Sequence, residues 1–101
     1  MERESVTLTE ALETVSDSRS FLNFARELVA DREDEVKKEQ ARPSSPYGPG
    51  ANGWENGDIE GFLNAAIAWA EASDFGQRQG ISPDNPWRQF ATFLYCGKIY
   101  E

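Results

Sequence analysis

Residues 43–53 read Pro-Ser-Ser-Pro-Tyr-Gly-Pro-Gly-Ala-Asn-Gly. Three prolines and three glycines in eleven residues exclude a helix or strand interior there. The segment lies at the middle of a 101-residue chain, so two short halves must build one core together. No stretch on either side alternates in the two-residue period of a strand, and apolar residues recur at helical spacing instead.

Four helices are expected. Thr7-Leu8-Thr9-Glu10 fits a capping box, and Leu8, Ala11, Leu12 and Val15 fall on one stripe, which predicts a helix over 7–16. Ser16-Asp17-Ser18 competes for local backbone hydrogen bonds and predicts a break with a new cap. The second helix is expected over 18–40, with Phe21, Leu22, Ala25, Leu28 and Val29 as its buried face. Beyond Val29 the residues are mostly charged, and pairs such as Glu33–Lys37 and Asp34–Lys38 extend the helix as a solvated rod, read either as a docking arm or, by preference, as an exposed last turn that frays. The loop is expected over 42–56.

A third helix is expected over 57–72. Its run from Ala65 to Ala70 is apolar nearly all round, which predicts a central helix contacted on more than one side. Phe75 and Ile81 are expected to plug the next loop. Asn85-Pro86-Trp87 reads as cap, first helical residue and first turn of a fourth helix over 86–97. Trp69 and Trp87 both fall on helical stripes and are expected in the core. Gly97 either ends that helix or marks close backbone contact within it. The fold class is therefore all-α: a single-domain bundle of about four helices around a central Gly/Pro-rich loop.

The chain has no histidine and one cysteine, which removes His-dependent Ser and Cys triads. Zinc would need several Cys or His ligands, and no calcium-loop pattern is present, although Asp84 and Asn85 sit in a loop. The glycines of the central loop do not match a phosphate-binding pattern. No catalytic residue, metal or cofactor is expected. Cys96 lies one step off an apolar stripe and reads as a small half-buried thiol.

The net charge is -8, shared equally by the two halves. A uniformly negative surface repels phosphate backbones, so nucleic acid is not an expected partner, whereas a basic protein is. No run is long enough to span a membrane, and Met1-Glu2-Arg3-Glu4-Ser5 has no apolar signal core, so a cytoplasmic location is expected. Tyr47 and Trp54 stand in or beside the loop, with no stripe to account for them. Loop aromatics of this kind anchor interfaces. With the neighbouring Glu55 and Asp58 they form the expected partner-binding set. A core-packing role for Trp54 is the competing reading.

Three functions follow as expectations. The first is a non-enzymatic protein-binding module, in its sharpest form an immunity- or antitoxin-like inhibitor of a basic partner. The second is a small-ligand or carbohydrate-binding domain with an aromatic cleft at Trp54, served by Glu55 and Glu60. The third is a structural domain that self-associates through the charged end of the second helix.

Trp54-Glu55-Asn56, Ile59-Glu60-Gly61-Phe62-Leu63, Ala68-Trp69, Trp87-Arg88-Gln89-Phe90-Ala91 and the ending Gly97-Lys98-Ile99-Tyr100-Glu101 resemble a family of small acidic bacterial proteins of unknown function. The resemblance covers roughly residues 16–101. It implies a stand-alone domain and brings no activity, cofactor or catalytic residue.

Overall fold

The computed structural model describes residues 7–100. The opening residues, on which the leader expectation rests, lie outside that range. The described chain is all-helical: α1 (Leu8–Glu13), α2 (Ser18–Ala41), α3 (Ile59–Ser73) and α4 (Pro86–Ile99), with a short 3-10 turn at Gln77–Gln79.

Local chemistry sets most of the helix ends. The Thr7 hydroxyl accepts from the Glu10 amide at 3.1 Å while the Glu10 carboxylate accepts from the Thr7 amide at 3.0 Å. Helix α1 stops at Glu13, short of the expected Ser16. The Thr14 hydroxyl bonds back to the Ala11 carbonyl at 2.9 Å, and the Thr14 and Val15 amides make tighter three-residue bonds. Asp17 then caps α2 through the Ser20 amide at 2.8 Å. Asn85 caps α4 through the Arg88 amide, with Pro86 in the first helical position. The same Asn85 donates to the Val15 carbonyl at 2.8 Å, fastening the start of α4 to the turn after α1.

The molecule is a slab of 43 × 35 × 18 Å. Helix α4 is its middle element, packed against α1, α2 and α3. Helices α3 and α4 run antiparallel, since Gln89 bonds the Phe75 carbonyl at one end and Asn56, just before α3, bonds the Gly97 carbonyl at the other. Helix α2 runs alongside α4 in the same direction: Phe21 meets Trp87 near their N-termini, and Asp31 meets Lys98 further on. Helices α2 and α3 flank α4 without packing their backbones on each other.

Two apolar clusters hold the slab. One joins Leu12, Val15, Phe24, Leu28, Trp54 and Ala91; the other joins Trp69, Ala70 and Cys96, with Phe75 and Ile81 packed against it as plugs. Burial of each large side chain contributes roughly 1.5–3 kcal/mol.

Gly97 does not end α4, which continues to Ile99. A Cβ at Gly97 would stand 2.7 Å from the Phe62 ring, so the residue is the close-approach point between α3 and α4. Gly97→Ala is therefore expected to destabilise by about 1–3 kcal/mol through overpacking, although alanine is the better helix former. Urea unfolding checks this; a gain in stability would show that Phe62 moves aside freely.

Three packing expectations are corrected. The buried face of α2 runs through Phe24 and Leu28, leaving Leu22 and Val29 48% and 57% exposed. The inward stripe continues past Leu28 as Asp31 and Glu35, so the apolar pattern alone points one step off the true face. Helix α3 is peripheral rather than central: Ala66 and Trp69 face α4, while Ile59, Leu63 and Ile67 remain exposed. Trp87 is half-exposed at the first turn of α4, where Phe21 covers only part of its ring.

Candidate functional site

The charged half of α2 is a dock for the central loop, not a fraying end. Asp31, Glu35 and Glu39 recur every four residues and so share one face. Glu35 is 3% exposed, and both its oxygens are used. Oε1 accepts from the Asn52 amide at 2.9 Å and the Trp54 amide at 3.3 Å, and Oε2 accepts from Arg32 Nη1 at 2.8 Å. A buried carboxylate is tolerable only when compensated in this way. Glu39 accepts from the Ser44 amide, the Ser44 hydroxyl and the Ala51 amide. Asn52 donates to the Asp31 carbonyl and to Asp34, and accepts from Lys38 at 2.9 Å.

These bonds perturb acidity. Hydrogen bonds from the Ser44 side chain and backbone hold the Glu39 carboxyl below its ordinary range, and bonds from Asn52 and Lys38 do the same for Asp34. Depressed carboxyl pKa values mean that this part of the clamp is fully present above the unfolded-state values. It is lost as pH falls through the lower folded-state ones.

The clamp delivers Trp54 into the core, where the ring is 8% exposed. Its indole Nε1 donates to Asp31 Oδ2 at 2.9 Å, and the same oxygen meets Lys98 Nζ at 2.6 Å. The ring stacks on Phe62 with centroids 6.1 Å apart, while Arg32 and Lys98 hold their charges 5.4 and 5.6 Å from its centroid. The next residues fasten the loop to the end of α4: the Glu55 amide donates to the Lys98 carbonyl, and Asn56 Nδ2 donates to the Gly97 and Tyr100 carbonyls. Trp54-Glu55-Asn56 is thus a clasp, with a plug at one end and a helix cap at the other.

Between α2 and α3 the clasp leaves an open groove of about 470 Å³. Its lining is almost wholly apolar, supplied by Leu28, Val29, Trp54, Ile59, Phe62 and Leu63. Arg32, Glu33 and Asp58 stand among them as the charged groups. Arg32 is already engaged by Glu35 and by the Gly57 carbonyl, and Asp58 caps α3 through the Gly61 amide at 2.6 Å.

The four expected contact residues are separated by this arrangement. Trp54 and Asp58 belong to the groove. Glu55 is exposed but outside its lining, as is Glu60. Tyr47 is 96% exposed near the turn closed by the Gly48 amide and Ser45 carbonyl, also outside the lining. Sequence reasoning missed the groove's helical walls. The signal was present in two surplus apolar series: Leu22, Val29 and Val36 seven apart on α2, and Ile59, Leu63 and Ile67 four apart on α3.

Cys96 is buried, and burial pushes its thiol up to about 11, which keeps it protonated at neutral pH. Among the described residues no three His, Cys, Asp or Glu side chains gather as a metal site, and no helix is long and apolar enough to cross a membrane.

Comparison with known proteins found no match among curated proteins and none among solved structures. One family model does match, from the α2 cap at Asp17 to Glu101. Residues 17–101 place the chain in DUF7660, a family of unknown function.

Proposed function

We propose that this chain is a non-enzymatic protein-binding module that holds a basic partner through the groove between α2 and α3, in the manner of an inhibitor or immunity-type cover. The observation that carries this reading is the uncovered apolar face of α3. A helix apolar nearly all round is normally enclosed, yet Ile59, Leu63 and Ile67 are 75%, 44% and 45% exposed. Contiguous exposed apolar surface with a charged rim marks interaction sites. The net charge of -8 supports a basic partner.

Neither alternative draws the same support. A sugar asks for convergent free polar groups, but Asn56, Asp58 and Arg32 are committed to Gly97 and Tyr100, to Gly61, and to Glu35 and Gly57. Self-association through the charged end of α2 would compete with the loop already bound to Glu35, Lys38 and Glu39.

The test is paired capture from host lysate with wild type and Leu63→Asp. Leu63 is 44% exposed, so the variant is expected to fold, with a stability loss under about 1 kcal/mol. Wild type is expected to retain a basic protein at low salt, less of it at high salt, and the variant to lose it. Equal retention by both chains, or no retention by wild type, would overturn the reading.

A further inference from the structure

Resting on that reading, we infer that the groove's occupant is a single amphipathic α-helix of the partner, with basic residues flanking its apolar face. The groove selects a helix because its walls offer apolar side chains and little free backbone. Both walls are helices, whose interior amides and carbonyls are bonded within each helix. The loop amides of Trp54 and Glu55 go to Glu35 and to the Lys98 carbonyl. No strand among the described residues offers an edge for an extended segment to join. An extended peptide would bury unpaired backbone groups at about 1–3 kcal/mol each, whereas a helix arrives with its backbone satisfied.

The wall of α2 also has the right period and length. Leu22, Val29 and Val36 are exposed at seven-residue spacing, the repeat that lets a second helix run alongside. Val29 lies in the groove, Val36 in the hollow beyond it and Leu22 on the helix before it. Residues 22–36 span about 21 Å at the helical rise, or four turns. A second hollow lined by Arg32, Glu33, Val36 and Lys37 prolongs the surface beyond the main groove.

Charge decides between occupants. Glu33 and Asp58 are exposed in the groove lining, the charge of Arg32 is met by Glu35, and Lys37 at the second hollow stands near Asp34. A second copy of the chain would bring another -8 to the contact. Residues 1–6 carry two acidic side chains and one basic, which does not match an acidic rim. A basic helix from a different protein fits both the apolar walls and the acidic setting.

The experiment uses three synthetic probes of about 14 residues, long enough for four turns. One is a Leu/Lys peptide with leucines at helical spacing, one is the same peptide with two central prolines, and one is its Leu/Glu counterpart. Binding is read by backbone NMR titration of the full chain. The Leu/Lys peptide is expected to shift Val29, Ile59 and Leu63, and both other probes to bind at least about tenfold more weakly. Val29→Asp and Leu63→Asp are each expected to weaken the Leu/Lys peptide by about tenfold. Equal binding of the prolyl peptide in the groove would overturn the helix and leave the docking role intact. Shifts elsewhere, indifference to both variants, or no binding would overturn the inference. Self-association abolished by Leu63→Asp would make a second copy the occupant and overturn it too.

Discussion

Trp54→Ala is expected to lower folding stability by about 3–5 kcal/mol, the range for emptying a buried aromatic site. The sequence alone allowed an opposite outcome, in which an interface tryptophan is removed with little change in the thermal midpoint. Burial to 8% exposure decides the matter in favour of the core. The loss has several parts. The ring's stacking on Phe62 disappears, the cluster that also holds Leu28 loses its tryptophan, and the space left behind opens toward the groove. Asp31 loses the indole donor but keeps Lys98 at 2.6 Å, so its charge is not orphaned. Arg32 and Lys98 lose the π face beside them. Trp54→Phe separates the parts: it keeps most of the apolar volume and deletes the bond to Asp31, with an expected cost of about 1–2 kcal/mol. Urea unfolding of both variants checks the pair. A drop below about 1 kcal/mol for alanine would mean that the ring is not a core residue.

The parts of the fold that were legible in the sequence are those whose cause is local. Thr7 with Glu10, Asp17 within the Ser-Asp-Ser break, and Asn85 with Pro86 each announce a helix start because the capping atoms lie within three residues of the amides they serve. Phe75 and Ile81 were legible as plugs because an isolated large apolar residue in a loop has few other places to go. Gly97 was half legible. Sequence supplied a glycine late in a helix, but only the antiparallel packing of α3 brings Phe62 against it.

The rest was not legible because its cause is distant in the chain. The inward face of α2 carries Asp31 and Glu35 where periodicity looks for apolar residues; the partners of Glu35 include loop amides 17 and 19 residues away, and those of Asp31 are the Trp54 indole and Lys98, 23 and 67 residues away. No pattern within a helix can show that a carboxylate will be paid for by another segment. The groove was hidden for the same reason. Val29 and Leu63 look like core residues on their own helices, and only the placement of α4 between α2 and α3 leaves them uncovered.

Glu35→Ala is the second large loss expected, about 2–4 kcal/mol, and it tests the idea that α2 holds the loop through buried charge. The substitution removes the acceptor of the Asn52 and Trp54 amides, of which the second is buried, at about 1–3 kcal/mol for each group left unpaired. Arg32 is 36% exposed and can turn to water, so the variant does not strand a buried cation. Gly50 lies directly against this carboxylate, where a Cβ would collide with it, and as glycine it has no side chain to fill the space the variant leaves. Glu35→Gln is expected to lose less, about 1–2 kcal/mol: its carbonyl oxygen can still serve the loop amides, but its amide group then faces Arg32 donor to donor. Native-state hydrogen exchange gives the sharper readout. In Glu35→Ala the Asn52 and Trp54 amides are expected to exchange faster than the loss of global stability alone requires, as the loop opens apart from the helices. Unchanged relative protection at those two amides would show that the loop is held by Trp54 packing and the Asn56 clasp without help from Glu35. The same variant links the fold to the groove, since a loosened loop frees Trp54 from beneath it, and the Leu/Lys peptide should bind more weakly to a groove that has lost its base.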